Sequence, residues 1–340
     1  MAMNTESAGH QLLRDVERSV HQRVVGQGET VRGLLVALLT GGHVLLEGLP
    51  GLAKTLLVRS LAGALQASFR RIQFTPDLLP GDIVGTPVYD PATGGFRVHE
   101  GPIFANIVLA DEVNRAPPKV QSALLEAMEE EQVTIDGTPH PLPAPFLVLA
   151  TQNPIEQQGT YPLAEAQLDR FMLKLHVSYP DRAEEKQILQ RVALGRKGAP
   201  GVPAGLSIVR GPEALPAGAA GEFRTDGSAG PDSHPSRGAT ETGEGFLASL
   251  DAVFAARGEL ERVHVDERIQ DYIVDLTFAT REPARAGLPE LESLLEFGIS
   301  PRGTIFLTRG ARALAYLEGR DYVLPDDVKA IAPSVLRHRL

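Results

Sequence analysis

The sequence predicts an α/β protein, in which a doubly wound parallel sheet of about five strands is followed by an all-helical C-terminal part. Short apolar runs that scarcely alternate with polar residues are typical of strands buried on both faces, and helix-like spacing fills the stretches between these runs. Beyond residue 245 the apolar residues show helical spacing only. The five predicted strands cover residues 43–46, 69–74, 107–110, 146–150 and 171–177.

The predicted helices alternate with these strands as βαβ units require. Helical spacing over residues 10–40 precedes the first strand, and it returns over 55–67 and 118–130, between later strands. The last helix is expected to begin at Pro325, because proline is favoured in a first helical turn and the aspartates that follow it suit the positive end of a helix.

Two segments interrupt the alternation of strand and helix. The dipeptide Asp136-Gly137 predicts a hairpin turn within residues 133–138, because both residues tolerate the positive φ angles of a two-residue turn. Residues 195–245 contain 12 glycines and 6 prolines but few large apolar side chains. Such a segment buries too little surface to offset its ordering entropy, so we expect a mobile insertion there.

Composition excludes several classes of protein. A chain of 340 residues is long enough for about two domains. Its net charge of -10 opposes binding to the phosphates of nucleic acids. It has no cysteine, which excludes disulfides and thiolate zinc sites and fits a reducing compartment. No stretch approaches roughly 18 consecutive apolar residues and the N-terminal segment is polar, so we expect a soluble cytoplasmic protein without a membrane span or a secretory signal.

Residues 48–55 predict a phosphate-binding loop, because they combine glycines, a lysine and a threonine between a predicted strand and a predicted helix. Backbone N–H groups at the helix start would surround the phosphates, Lys54 would reach the β- and γ-phosphates, and the Thr55 hydroxyl would bind Mg²⁺. For Ala53, where the usual loop has glycine, we predict a right-handed conformation. The alternative is a glycine-rich turn that holds no ligand. The residues expected to contact the nucleotide are Gly48, Pro50, Gly51, Leu52, Ala53, Lys54 and Thr55.

Polar side chains follow two of the predicted strands at the same edge of the sheet. Asp111 and Glu112 come directly after the strand 107–110, where burying a carboxylate is costly unless a cation is present. We expect Asp111 to orient the ligands of Mg²⁺ and Glu112 to polarise the attacking water. Asn153 follows the strand 146–150 and could hold that water or contact the γ-phosphate. The alternatives are solvated acids at a strand end and a plain Asn-Pro turn.

Together these segments resemble the MoxR family of AAA+ ATPases, and the resemblance covers nearly the whole chain apart from the insertion at 195–245. The motifs follow one another in the family's order, which makes chance a poor explanation. They include the family's own alanine before the lysine of the phosphate loop. The matching segments are 48–55, 74–80, 101–105, 109–116, 121–128, 150–154, 165–171 and 300–303.

The resemblance implies roles for four further residues. Arg170 matches the family's arginine finger, which reaches the γ-phosphate bound by the adjacent subunit. Arg302 matches the lid arginine that contacts phosphate on its own subunit, and Val25 and Gly26 match the loop that contacts adenine. The alternatives are a surface ion pair for Arg170, an ordinary helix start for Arg302 and a simple turn between helices for Val25 and Gly26.

The resemblance also implies a domain organisation and partners. It implies an AAA+ nucleotide-binding α/β domain over residues 1–180 and a helical lid domain over 181–340. It further implies ATP and Mg²⁺ as cofactors, a homo-oligomeric ring, expected to be a hexamer, and client proteins that carry a von Willebrand factor A domain. A β-rich insertion at 81–101 and the hairpin at 133–142 would project toward the central pore or a partner.

The function predicted on these grounds is an ATPase that couples Mg-ATP hydrolysis to chaperone-like remodelling, maturation or assembly of client proteins. Two alternatives stay open. A nucleic-acid motor of the helicase type is disfavoured by the net charge of -10 and by the lack of a basic stripe. A nucleotide-gated scaffold would bind ATP with little turnover, and the effect of Glu112→Gln on phosphate release would distinguish it from the ATPase.

Overall fold

The computed structural model describes residues 8–49, 51–152, 159–192 and 248–340. The predicted insertion at 195–245 lies outside these residues.

All five predicted strands form, and they pair in parallel to give one central sheet. Two short antiparallel hairpins add four more strands. In the described residues the strands are β1 (Val44–Glu47), β2 (Phe69–Gln73), β3 (Gly85–Asp90), β4 (Gly95–Glu100), β5 (Ile107–Asp111), β6 (Gln132–Ile135), β7 (Thr138–Pro141), β8 (Leu147–Gln152) and β9 (Leu173–His176). The spatial order in the central sheet is β2-β5-β8-β1-β9, so β1, the first strand in the chain, lies between β8 and β9.

The helices begin and end close to the predicted positions, and the last one starts at Pro325 as expected. In the described residues they are α1 (Ala8–Arg23), α2 (Gly28–Thr40), α3 (Lys54–Ala64), α4 (Pro80–Val84), α5 (Pro118–Glu130), α6 (Glu165–Leu168), α7 (Arg182–Val192), α8 (Leu250–Leu260), α9 (Glu267–Arg281), α10 (Pro301–Leu317) and α11 (Pro325–Leu336).

The central sheet is covered on both faces, which explains why its strands read as unbroken apolar runs. In β1, Val44 and Leu46 belong to a large apolar cluster with α1, α2 and α3, whereas Leu45 between them belongs to a second cluster with α4 and α5. Successive side chains of a strand point to opposite faces, so an unalternated run means burial on both sides. The doubly wound architecture is therefore confirmed.

Both predicted β-rich insertions are present. The turn between β6 and β7 has Asp136 at φ 48° and Gly137 at φ 74°, the positive angles that a two-residue hairpin turn requires. Within residues 81–101, the strands β3 and β4 pair over six residues each, and the short helix α4 precedes them.

The C-terminal helices α8 to α11 pack against α1, α2 and β9 as well as against one another. Their buried residues, such as Val253, Leu307 and Val335, belong to the same large apolar cluster as Val44 and Leu46 of the sheet. The apolar core therefore continues across residue 180, and the division of the chain there into two domains stays a prediction. Among the residues that the structure describes, every helix is too short or too polar to span a lipid bilayer.

Candidate active site

The candidate site lies at the carboxyl ends of β5, β8 and β1, which are neighbours in the sheet. In parallel register, Ala110 of β5 is opposite Ala150 of β8, and Glu47 of β1 is opposite Gln152 of β8. The polar residues that follow these strands therefore emerge at one edge. Ligands of open α/β sheets bind outside this edge, where neighbouring strands connect in opposite directions.

The predicted phosphate loop leaves β1 and enters α3. Gly48 passes so close to the segment after β9 that a Cβ atom on it would lie 2.7 Å from the Val177 carbonyl oxygen. Gly51 adopts φ 86°, a left-handed angle that favours glycine, and open space surrounds it. Leu52 packs against the large apolar cluster and anchors the loop, while Thr55 is half-buried in the first turn of α3. Pro50 lies outside the described residues.

The prediction for Ala53 was wrong. Ala53 has φ 56° and ψ 23°, which is left-handed, and α3 begins only at Lys54. The Ala53 carbonyl oxygen accepts the first helical hydrogen bond, from the Leu57 N–H at 2.9 Å. The loop must reverse direction immediately before this carbonyl, and a left-handed residue makes that reversal. For alanine this conformation costs about 1–2 kcal/mol, and because Ala53 is exposed, its Cβ meets no additional obstacle.

Lys54 lies at the same edge of the sheet as the acidic pair. Its ammonium Nζ donates a hydrogen bond to the Gly48 carbonyl oxygen at 2.6 Å. Burial lowers the pKa of Lys54, and the negative charges of Asp111 and Glu112 oppose that shift. The lysine after β1 and the two carboxylates after β5 therefore lie within electrostatic reach of each other at the same edge of the sheet.

The carboxylate of Asp111 is fixed by neighbours on both sides. Its Oδ1 accepts a hydrogen bond from the Thr151 hydroxyl at 2.5 Å, and its Oδ2 accepts from Nε and Nη2 of Arg71 at 3.0 and 2.6 Å. Thr151 is buried on β8, whereas Arg71 is exposed on the edge strand β2. The side chain of Asp111 is 15% exposed, so these neighbours shield most of the carboxylate from solvent.

Glu112 is held through both its backbone and its side chain. It adopts φ 58°, and its N–H donates to the Thr151 hydroxyl at 2.9 Å. Its Oε2 accepts a hydrogen bond from Gln73 Nε2 at 2.8 Å and lies 3.3 Å from Nε of Arg115. A non-glycine residue in the left-handed region is strained, and such strain concentrates at functional sites. We call Lys54, Asp111, Glu112 and Thr151 the strand-end site.

Arg71, Gln73 and Thr151 are contacts of this site that we did not predict. Arg71 and Gln73 alternate with buried Ile72 on β2, and Gln73 is opposite Asp111 in the register. The alternation is visible in the sequence, but its meaning depends on β2 lying beside β5, which no local pattern shows. The contact of Thr151 with Asp111 likewise could not be predicted, because it requires β8 to lie beside β5.

The two predicted arginines meet away from the phosphate loop, on Glu129 near the end of α5. Nη2 of Arg170 lies 2.9 Å from Glu129 Oε2, and Nη2 of Arg302 lies 2.8 Å from Glu129 Oε1. Both guanidinium groups remain partly exposed, at 34% and 38%. We call these three residues the arginine pair on Glu129. Within one chain, the structure therefore joins the predicted finger to the predicted lid arginine.

Val25 and Gly26 lie in the turn between α1 and α2, packed over the segment that follows β9. Gly26 has φ 70°, and a Cβ atom on it would lie 2.5 Å from Glu184 Oε1, so both angle and space favour glycine. Gln27 Nε2 donates to the Ser178 carbonyl oxygen at 2.7 Å and fixes the turn there. Because β9 pairs with β1, this turn lies on the same flank of the sheet as the phosphate loop.

The residues present fit a magnesium nucleotide better than a metal ion alone. Among the described residues, no group of three or more His, Asp or Glu side chains is arranged to hold a metal. Asp111 and the hydroxyl of Thr55 would supply two oxygen ligands, and Mg²⁺ is commonly bound by one or two protein oxygens together with phosphate oxygens and water. Asn153 lies outside the described residues, so its predicted place beside this site stays a prediction.

Comparison with known proteins gives the family. A model of the ATPase family associated with various cellular activities (AAA) matches residues 43–173, and a model of the AAA lid domain matches residues 291–340. Chaperone MoxR1 of Mycobacterium tuberculosis is 43% identical over 321 residues, which cover 94% of this chain and 73% of the relative. Protein MoxR of Paracoccus denitrificans is 32% identical over 341 residues, which cover 97% of this chain and 89% of the relative.

A solved structure supports the same assignment. The crystal structure of a candidate ATPase from Cytophaga hutchinsonii superposes with a TM-score of 0.78 at 43% identity, covering 97% of this chain and 87% of that one. The relatives and the fold point to the same family, as do the predicted phosphate loop before α3 and the acidic pair after β5. The chain belongs to the MoxR family of AAA+ ATPases.

Proposed function

We propose that this ATPase binds Mg-ATP between the phosphate loop and the acidic pair, hydrolyses it in an oligomeric ring and uses the energy to remodel client proteins. The observation that carries the proposal is that a cation for phosphate, Lys54, and two carboxylates, Asp111 and Glu112, follow strands that end at one edge of the sheet. The division of labour between an α/β domain over residues 1–180 and a lid over 181–340 is part of this proposal.

The phosphate loop supplies the binding energy. Backbone N–H groups of residues 48, 49 and 51–53 and of the start of α3 would surround the phosphates, and Lys54 would exchange its bond to the Gly48 carbonyl for the β- and γ-phosphate oxygens. Val25 and Gly26 would contact the adenine from the flank of β9. Thr55 and Asp111 would hold Mg²⁺, which when bound neutralises charge on the phosphate oxygens.

Glu112 is the proposed catalytic residue that polarises the attacking water. Its strained backbone and its bond to Gln73 fix the carboxylate at the strand end, where a base must be placed before it can act. Asn153, which comes directly after β8, would hold the same water or the γ-phosphate.

The arginines make hydrolysis depend on assembly. Arg170 would serve as the finger for the nucleotide of an adjacent subunit, which requires a ring, and we propose six subunits. Arg302 would leave Glu129 to contact the phosphates of its own subunit and would so couple the angle of the lid to the nucleotide state. ATP and ADP would then favour different lid positions by their differential affinity for them.

Clients with a von Willebrand factor A domain are the proposed substrates of this remodelling. The proposal draws on the resemblance and on the name of one relative, Chaperone MoxR1. The proposed location is the cytoplasm, where ATP and Mg²⁺ are both supplied. Capture of bound proteins with a Glu112→Gln chain, which would hold ATP without splitting it, tests for such clients.

Phosphate release by Glu112→Gln tests the proposed chemistry. Loss of a positioned base is worth roughly 100-fold or more in turnover, so we expect a drop of that size with ATP affinity unchanged. The matched control is Glu126→Gln on the exposed side of α5, which should release phosphate at the wild-type rate. Equal rates for wild type and Glu112→Gln would favour a nucleotide-gated scaffold and contradict the ATPase mechanism.

A further inference from the structure

The C-terminal end of the chain buries an arginine against the segment that carries Arg170. The side chain of Arg339, three residues beyond α11, is only 2% exposed. Its Nε donates to Asp169 Oδ1 at 2.7 Å, and its Nη2 donates to the backbone carbonyl oxygens of Asp169 and Phe171 at 2.9 and 2.6 Å. The guanidinium also lies over the ring of Phe306 in α10, 5.2 Å from its centre.

These bonds fix the residues on both sides of Arg170, whereas none of them involves Arg170 itself. Asp169 and Phe171 are fixed by Arg339, whereas the side chain of Arg170 reaches the exposed carboxylate of Glu129. A buried guanidinium without partners is very costly, so the 169–171 segment must stay in place wherever Arg339 stays buried. The backbone that carries the proposed finger is therefore set by the last residues of the chain.

Asp169 joins the same segment to the start of α10. Its Oδ2 accepts a hydrogen bond from the Ser300 hydroxyl at 2.8 Å, while Oδ1 accepts from Arg339. Ser300 is the residue before α10, and Arg302 lies in the first turn of that helix. One carboxylate thus connects both C-terminal helices, α10 and α11, to the residue next to Arg170.

We infer that Arg339 and Asp169 are positioning residues for the arginine finger, and that through them the lid helices set where Arg170 points. This inference rests on the proposed function, because it requires Arg170 to act on the nucleotide of a neighbouring subunit. A change in lid angle at Arg302 would move Ser300 and Arg339 with α10 and α11. This movement would shift Arg170, so the nucleotide bound to one subunit would alter hydrolysis in the active site of the adjacent subunit.

The test is phosphate release by Arg339→Gln, with Arg312→Gln as the matched control. Arg312 also donates to backbone carbonyl oxygens, of Leu260 at 3.0 Å and Val263 at 3.2 Å, but these lie among the C-terminal helices and far along the chain from Arg170. A misplaced catalytic group loses about 10- to 100-fold in rate, so we expect Arg339→Gln to lose that much turnover at unchanged ATP affinity. Arg312→Gln should stay close to the wild-type rate.

Mixing distinguishes positioning from a structural defect. In rings assembled from Arg339→Gln and Glu112→Gln chains, an Arg339→Gln subunit has an intact base and can receive an intact finger from its Glu112→Gln neighbour. A random equal mixture should therefore recover roughly a quarter of the wild-type rate, although each variant alone is nearly inactive. Asp169→Asn, which keeps the size of the side chain, should behave in the same way if Arg339→Gln does not fold.

Three results would overturn the inference. The first is wild-type turnover by Arg339→Gln and Asp169→Asn when both are folded. The second is that mixing either positioning variant with Glu112→Gln restores no turnover, although mixing Arg170→Ala with Glu112→Gln does. The third is that neither positioning variant folds. The proposed function would fail separately: Arg170→Ala would then hydrolyse ATP normally, or would itself show no recovery on mixing.

Discussion

The strand-end site and the arginine pair on Glu129 hold their charges in different ways. In the strand-end site, Asp111 is 15% exposed and is bonded to side chains from the two strands that flank it. In the arginine pair on Glu129, two guanidinium groups that are 34% and 38% exposed share one carboxylate. Exposed ion pairs stabilise by about 0–1 kcal/mol each, so Arg170 and Arg302 can leave Glu129 at little cost. The first site is held by hydrogen bonds between neighbouring strands, and the second by ion pairs between partly exposed side chains.

Both regions contain left-handed residues. Ala53 and Glu112 have φ angles of 56° and 58°, and Glu131, two residues beyond Glu129, has φ 49°. Backbone strain therefore does not distinguish the two regions, whereas the exposure of their charged side chains does.

Removing the finger should have the largest effect. Arg170→Ala is expected to lower turnover roughly 1,000-fold while ATP affinity stays the same, because a finger stabilises charge that develops only in the transition state. Steady-state phosphate release and equilibrium binding of a fluorescent ATP analogue measure the two quantities. Normal hydrolysis by Arg170→Ala would mean that the arginine pair on Glu129 is only a surface ion pair.

Removing the lysine of the strand-end site should act on binding instead. Lys54→Ala is expected to weaken ATP binding by about 100-fold, because two or more charge-assisted hydrogen bonds to phosphate are lost. Lys119→Ala, an exposed lysine in the first turn of α5, is the control and should bind as wild type does. Titration calorimetry measures the ATP affinity of both variants. Wild-type affinity in Lys54→Ala would show that the strand-end site does not bind the phosphates.

Acidification should destabilise the folded chain through two buried histidines. Burial lowers the pKa of His43, beside β1, to about 4, and burial together with the charge of Arg339 lowers that of His338 to about 3. The unfolded chain binds a proton at each of these residues below about pH 6.5, whereas the folded chain does so only at much lower pH. Stability is therefore complete above pH 6.5 and falls as the pH is lowered.

Between pH 6.5 and 5.5 each histidine should remove about 1 kcal/mol from the free energy of unfolding. Urea denaturation at several pH values measures this slope, and His338→Gln should remove about half of it. A free energy of unfolding that does not change over this range would show that the pKa values of the two histidines are the same in the folded chain as in the unfolded chain.

Relief of the backbone strain should have the smallest effect. Ala53→Gly is expected to stabilise the chain by up to about 1 kcal/mol, because glycine adopts the left-handed angle freely and loses only part of that gain to its greater freedom in the unfolded state. Ala62→Gly, inside α3, should destabilise by about 1 kcal/mol. Thermal unfolding of both variants measures the difference, and a less stable Ala53→Gly would show that Ala53 is not strained.

What the sequence predicted well was local. The unalternated runs became the five strands of the central sheet, and the polar residues that follow β1 and β5 lie at the same edge of it. Both results follow from short-range patterns and from the general geometry of parallel sheets. The error at Ala53 was also local, since composition does not show where a loop must reverse to enter its helix.

What could not be predicted depends on distant parts of the chain. Glu129 reads as an ordinary exposed acid of α5, and only the packing of the helices brings Arg302 to it across 173 residues. Arg339 reads as one more basic residue near the end of the chain, although it is bonded to Asp169, 170 residues earlier. The contacts of Arg71 with Asp111 likewise require the order of the strands.

A structure of the chain with Mg²⁺ and a slowly hydrolysed ATP analogue tests the central claim most directly. We expect the triphosphate along residues 48–53, with Lys54 Nζ moved from the Gly48 carbonyl to the phosphate oxygens and Mg²⁺ between Thr55 and Asp111. A triphosphate bound elsewhere on the molecule, or one that contacts neither Lys54 nor Asp111, would contradict it.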